Sequence, residues 1–305
     1  RLLLEQRAEI DGIEPHHAGK LLHRDLARVV LGDVADGLLH PVVRAGGVFF
    51  KEDEFDQAVQ QLKGNGAKGI ILDLRQNSGG AITSAVAIAS YFAGEGERVA
   101  TLEYHDKSVE HVSDQPPLNL PVVVLVDEGS ASSSEVLAGA LRDTARIPLI
   151  GQQTYGKGVA QRTLLFKDGS VLKYTVSEMI TPGGFRFDGI GLTPDVEVAL
   201  PVYVRYPVLQ LSETYRLGDR SEEIGLAQKY LEALEFNPGR TDGVFDKQTE
   251  AALKNMQEKA MLDQTGELDE LSAKAMNEML RKLLTENDTQ LHKGIEVLKE
   301  RMGRS

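Results

Sequence analysis

GIILDLRQNSGGAITSAVAIASYFA (residues 69–93) and PVVVLVDEGSASSSEVLAGALRD (residues 121–143) carry one pattern twice. Each has a short apolar run, a turn rich in Gly or Ser, and a segment of helical period. The runs GIILDL (69–74) and PVVVLVD (121–127) lack the alternation of a half-exposed strand, so both read as strands buried on two faces. In the second unit Val136, Leu137, Ala140 and Leu141 share one side of the following helix. Strands alternating with helices predict an α/β layer rather than an all-β barrel.

Upstream, Phe55, Ala58, Val59 and Leu62 fall at helical spacing, with Asp53 as N-cap and Gly64 at the end. Downstream, residues 159–166 and 170–177 flank Lys167-Asp168-Gly169, a hairpin signal. After Pro207 glycine thins out, Glu and Lys rise, and helix-period segments dominate, which predicts a domain boundary near 206–212. Residues 1–47 hold four of the seven histidines and show no sustained period beyond a helix expected around 21–31.

Composition narrows the function. The chain has 305 residues, 34 Lys+Arg and 46 Asp+Glu, for a formal net charge of −12. That length predicts about two domains, and 41% apolar residues suffice for ordinary cores. An acidic chain without a Lys/Arg-rich block is a poor ligand for phosphate backbones or anionic lipid, so no nucleic acid partner is expected. No stretch approaches 18 consecutive apolar residues, the length a membrane span needs. There is no Cys, which removes thiol nucleophiles, disulfides and Cys-ligated zinc together. No metal and no cofactor is called for. The opening RLLLEQRAEI has no signal-type apolar region, so the reading is a cytoplasmic protein or one whose targeting segment is not in this chain.

The turn Gly129-Ser130-Ala131-Ser132-Ser133-Ser134 is the first candidate for chemistry. A serine between strand and helix sits at the positive end of the helix, beside backbone N–H groups that can hold an oxyanion. A serine cluster there also reads as a plain helix cap. The turn is not the G-x-S-x-G elbow, because no glycine follows at the required place.

A serine nucleophile needs a base. His16, His17, His23 and His40 lie in the unpatterned first segment, His292 lies in the tail, and His105 and His111 flank a charged loop. Lysine is the other choice, and Lys157 in TYGKGVAQ is bracketed by Gly156 and Gly158, which permit close approach of backbone or substrate. A lysine works as a base when burial without a carboxylate partner brings it from about 10.4 to about 7–8. No Asp or Glu lies within ten residues of Lys157 on either side, although a solvated loop lysine is the plain alternative. Ser170-Val-Leu-Lys173 spells S-x-x-K, but in a strand its ends stand about 10 Å apart, so it is discarded.

GSASSSEVLAGALRD followed by TYGKGVAQ resembles the carboxyl-terminal processing (tail-specific) proteases, the S41 serine peptidases that use a Ser–Lys dyad. LDLRQNSGG (72–80) and ITPGGFRFDGIGLTPDVEV (180–198) look like two further signatures of that family, and the four ordered blocks cover residues 48–205. The resemblance implies a ClpP/crotonase-like α/β core with Ser132 as nucleophile, Lys157 as general base and Gln161 orienting the lysine. It gives the oxyanion-hole N–H groups to Gly79 and Ser133. Ser78 stands where the family often has proline. In a regular strand Lys157 and Gln161 would be about 13 Å apart, so the chain near Gly158 must coil or bend.

YRLGDRSEEIGLAQKYLEALEFNPGRTDGVFDKQTEAALKNMQ (215–257) resembles the peptidoglycan-binding helical module, marked by Leu217-Gly218, Gln228, Asp242-Gly243-Val244-Phe245 and Thr249. Ile224, Ala227, Leu231 and Leu234 make one apolar helix face there. Asp246 stands where glycine is usual, and Met256 replaces an aromatic, so the fold is expected to survive and glycan binding is less secure. NDTQLHKGIEVLKERM (287–302) resembles the closing helix of wall-associated members.

The expected organisation is an N-terminal segment 1–47, a Ser–Lys protease core 48–206, a small all-α module 212–281 and a C-terminal helix 282–305. The family normally places a PDZ domain of about 90 residues before the core, and the 1–47 segment, too short for that fold, is read as a remnant of one that is deleted, truncated or only partly present in this chain. The resemblance implies an envelope endopeptidase that cleaves exported proteins near apolar C-terminal tails, with peptidoglycan as a further partner and homodimers formed through terminal helices. Two rivals stand beside it. One is a non-catalytic wall-associated scaffold with a protease-like core; the other is an acyl-CoA enzyme of crotonase type, against which the Ser–Lys pair argues.

Overall fold

The computed structural model describes residues 28–32, 40–44 and 52–303. Most of the 1–47 segment, and with it the expected PDZ remnant, lies outside the described residues. In place of the helix expected around 21–31, Arg28–Gly32 is a strand, held by its pairing with His40–Arg44. The chain divides into two compact units, Arg1–Ala199 with Gln290–Ser305, and Leu200–Thr289.

The first unit is mixed α/β. Its larger sheet has the order β1 (Arg28–Gly32), β2 (His40–Arg44), β3 (Ile70–Asp73), β6 (Val122–Val126), β7 (Leu149–Gly151) and β10 (Val196–Glu197). Only the β1–β2 pair is antiparallel; every other neighbour is parallel. The helices that connect these strands are α1 (Glu52–Gly64), α2 (Ile82–Ser90) and α3 (Ser133–Ala145). Phe55, Ala58, Val59 and Leu62 of α1 are all buried, as their spacing predicts, while Asp53 lies inside the helix rather than capping it.

Both faces of this sheet are covered, which is why its strands read as unbroken apolar runs. Ile70, Leu72, Val122, Val124 and Val126 join the core that includes α1, α2 and α3 side chains. The alternate residues Ile71, Val123 and Leu125 pack with Ile150 against Leu298 of the last helix, α7 (Thr289–Gly303). Gly294 lets that helix approach, since a Cβ there would stand 3.0 Å from the Leu125 side chain. The C-terminal stretch is therefore not one helix over 282–305. α6 (Glu270–Glu286) belongs to the second unit, and α7 returns to the first.

A second, antiparallel sheet has the order β5 (Ser108–Val112), β4 (Arg98–Tyr104), β9 (Val171–Ile180) and β8 (Val159–Leu165). β8 and β9 form the predicted hairpin around a Gly169 of positive φ. Ser170 lies just before its second strand and Lys173 within it, paired with Thr163.

The second unit contains a short 3-10 turn (Val202–Arg205), α4 (Glu222–Ala233), α5 (Lys247–Lys259) and α6. Ser221, Asp246 and Asp269 cap the three α-helices by accepting N–H bonds from Ile224, Thr249 and Ser272. Asp246, the departure from glycine, thus supplies a cap. Two buried glutamines tie the loops to the helices. Gln228 accepts from Gly243 N–H and donates to Val244 O and Thr249 Oγ1; Gln257 accepts from Gly266 N–H and donates to Glu267 O and Ser272 Oγ. Met256 is fully buried in the core of this unit.

Candidate active site

Four serines crowd the β6–α3 turn, and their surroundings separate them. Ser130 is fully buried and donates its hydroxyl to Leu74 O at 2.8 Å. Ser133 and Ser134 are buried as well. Ser132 alone of the four is partly exposed, and its backbone stands at φ 58°, ψ −121°. For a residue with a Cβ this conformation is strained, and such strain at a strand-to-helix turn thrusts a side chain out of the sheet. The elbow that the missing glycine seemed to exclude is present in backbone geometry.

Glu135 holds this conformation. Its carboxylate is fully buried, and Oε2 accepts the Ser132 N–H at 2.9 Å. The same oxygen accepts the Lys157 N–H at 2.8 Å, while Oε1 takes the Gly156 N–H at 2.8 Å and the Thr154 hydroxyl at 2.5 Å. Four donors on one carboxylate compensate the cost of burying its charge. The turn and the Lys157 loop are thereby joined through a single side chain.

The loop is gripped from the other side too. A Cβ on Gly156 would stand 2.8 Å from the Gly191 nitrogen, and one on Gly158 would stand 2.5 Å from the Asp188 nitrogen. Gly158 N–H also donates to Asp188 Oδ1 at 2.9 Å. Both glycines beside Lys157 are thus required by the close approach of the 187–191 segment.

Opposite Ser132 runs the turn Arg75–Gly80. The Arg75 guanidinium makes two bonds to Asp73, at 2.9 and 2.8 Å, and Gln76, at φ 57°, is clamped by Asp127 through its N–H and its Nε2. Asn77 O accepts the Ala131 N–H at 2.9 Å, so the two turns are stitched together one residue before Ser132. An apolar depression lined by Leu74, Ala85, Ile88 and Leu137 adjoins Gly79, Gly80 and Ser133.

Residues 49–198 match the model of Peptidase family S41, and residues 220–276 match that of "Putative peptidoglycan binding domain". The chain contains an S41 peptidase domain. It is similar to the carboxy-terminal processing protease CtpA of Bacillus subtilis, 37% identical over 82% of this chain and 54% of that protein. A probable CtpA-like serine protease of Staphylococcus haemolyticus is 36% identical over 76% of this chain and 47% of that protein. Among solved structures, the photosystem II D1 C-terminal processing protease aligns with a TM-score of 0.48 and 32% identity, covering 58% of this chain and 46% of that one. The chain spans about half the length of the relatives it matches.

Within the S41 domain the expected site residues fare differently. Ser132, Ser133, Gly79 and the Lys157 backbone converge around the two stitched turns. Lys157 is partly buried, and among the described residues no hydrogen bond joins its Nζ to Ser132 or to Gln161. Gln161 is exposed on β8, just past a register shift between Ala160 and Gln161. Gly79 departs from its expected part. Its N–H donates to Asn77 Oδ1 at 2.9 Å instead of standing open, because Asn77 closes a turn on the residue two positions ahead.

Glu135, Thr154 and Asp188 went unread in the sequence. For Glu135 a signal exists, since Ser132-x-x-Glu135 is the capping-box pattern. The ten-residue neighbourhood free of carboxylates around Lys157 does not survive folding, because Glu135 and Asp188 both arrive from elsewhere in the chain.

Proposed function

We propose that the protein is a serine endopeptidase of the carboxyl-terminal processing kind, with Ser132 as nucleophile and Lys157 as general base. The observation that carries this reading is the strained, partly exposed Ser132 tied to the Lys157 loop by one buried carboxylate. The hydroxyl of Ser132 attacks the scissile carbonyl while the Lys157 amine accepts its proton, and Gln161 orients that amine. The tetrahedral oxyanion is taken up by Ser133 N–H together with an amide of the Gly79–Gly80 turn, which first gives up the acceptor it holds in this structure. Lys157 then returns the proton to the leaving amine, and water hydrolyses the acyl ester by the same route.

The relatives named for carboxy-terminal processing support C-terminal tails as substrates, and apolar tails of exported proteins are the class this reading takes. The peptidoglycan-binding match and the CtpA relatives support work in the cell envelope, with the second unit as a wall-binding module. A homodimer is part of the same reading. Cleavage of a peptide with an apolar C-terminus by wild type, Ser132→Ala and Lys157→Ala tests the dyad. Both variants are expected to fall at least about 10³-fold in kcat, in the range for losing a nucleophile or its base. Equal rates in all three would remove the dyad, and three inactive proteins would point to a scaffold.

A further inference from the structure

Neither glycine amide of the Gly79–Gly80 turn is open to a substrate oxygen. The Gly79 N–H goes to Asn77 Oδ1, as described, and the Gly80 N–H donates to Ser133 Oγ at 2.5 Å. Asn77 is 5% exposed and Ser133 6%, so water does not readily replace either acceptor. The space is tight as well. A Cβ on Gly79 would lie 2.8 Å from the Ser133 nitrogen and 2.9 Å from Ser133 Oγ. The hydroxyl of the residue following the nucleophile therefore fills the position in which an acceptor meets the Gly80 amide.

We infer that the Ser133 hydroxyl is a built-in stand-in for the substrate's carbonyl oxygen, which holds the oxyanion turn in a resting arrangement until substrate displaces it. This rests on the reading of Ser132 as nucleophile. The mechanism of release is ordinary. Rotation about χ1 of Ser133 moves Oγ between staggered wells and frees the Gly80 N–H. The turn itself stays in place, because Ala131 N–H to Asn77 O and the Gln76–Asp127 clamp do not involve Ser133. Each turnover then exchanges one hydrogen bond for another, and part of the oxyanion stabilisation is cancelled by the bond given up.

Ser133→Ala removes the stand-in and keeps the Ser133 backbone N–H. A single neutral hydrogen bond is worth about 0.5–1.5 kcal/mol net, or roughly 2- to 12-fold in rate. The gain belongs to the transition state, where the oxygen carries most charge, so it is expected in kcat with little change in KM.

The test compares wild type, Ser132→Ala and Ser133→Ala on a fluorogenic peptide with an apolar C-terminus, together with inhibition by a peptide boronate. The expected result is a kcat for Ser133→Ala about 3- to 10-fold above wild type, with boronate affinity raised by a similar factor. An unchanged or lower kcat in a variant that melts like wild type overturns the inference. Full activity in Ser132→Ala would instead sink the reading beneath it. Should Ser133→Ala fail to fold, the wild-type Gly80 amide resonance, followed in glycine-labelled protein, decides the matter. It shifts on boronate binding if the hydrogen bond is handed over, and a resonance that stays put rejects the handover.

Discussion

Ser132 and Lys157 donate their backbone N–H groups to one oxygen, Glu135 Oε2, at 2.9 and 2.8 Å. The two residues assigned to the chemistry are thus registered through main chain. Because the carboxylate meets amides, its charge is neutralised by dipoles that cannot titrate. A strained Ser132 persists only where the surroundings over-determine it, and Glu135 is the group that does so.

Glu135→Gln keeps the volume of the side chain but turns an NH2 group toward donors that need an acceptor. At least one of the four bonds must break, leaving a buried donor unsatisfied at a cost of about 1–3 kcal/mol. The expected outcome is a melting temperature lowered by several degrees and a kcat reduced about 10²-fold, with the fall in kcat exceeding any change in KM. Calorimetry and peptide kinetics on the same preparation check it. A variant that loses stability but keeps kcat would show that Glu135 braces the fold without setting the nucleophile.

Much of this was legible in the sequence, for reasons that differ by feature. The strands Ile70–Asp73 and Val122–Val126 are buried on both faces, so composition alone marks them. The helix face Ile224, Ala227 and Leu231 is equally plain, since all three are buried at helical spacing. Only the local part of the Glu135 role was legible, as the Ser132-x-x-Glu135 capping box; its bonds from Thr154, Gly156 and Lys157 are long-range and leave no local pattern. The same holds for Asp188 at Gly158, and for the destination of the last helix, whose amphipathic period says that it packs but not on what.

That last helix makes a second prediction. Leu298 is fully buried against Ile71, Val123, Leu125 and Ile150, strands of the peptidase sheet that lie far from it in sequence. Gln290, also fully buried, donates to Val198 O at 2.9 Å and accepts from Arg75 Nη1 at 3.3 Å, at the root of the Arg75–Gly80 turn. Leu298→Ala is therefore expected to destabilise the peptidase domain by about 3 kcal/mol, within the range for large-to-small changes in a core. Urea unfolding followed by loss of peptidase activity measures it. An unchanged midpoint would mean that the helix is an accessory to the sheet.

The third prediction concerns pH and the second unit. Arg240 grips Asp242 with two bonds, Nε to Oδ1 at 2.7 Å and Nη2 to Oδ2 at 2.5 Å. These side-chain bonds are the main reason that Asp242 is held at a pKa of about 2, below its ordinary 3.8. A carboxyl whose pKa is depressed by folding adds stability that is fully present above the unfolded value of 3.8 and is lost as pH falls through about 2. Asp242 also accepts the Val244 N–H at 3.3 Å and so shapes the Asp242-Gly243-Val244-Phe245 loop, in which Gly243 N–H reaches Gln228. Arg240→Ala should move the Asp242 titration back toward 3.8, so that this contribution to loop stability fades at a higher pH than in wild type. Carboxyl-carbon NMR from pH 5 down to about 2 follows both proteins through that window. Identical Asp242 titrations in the two proteins would show that the ion pair does not set the loop's charge state.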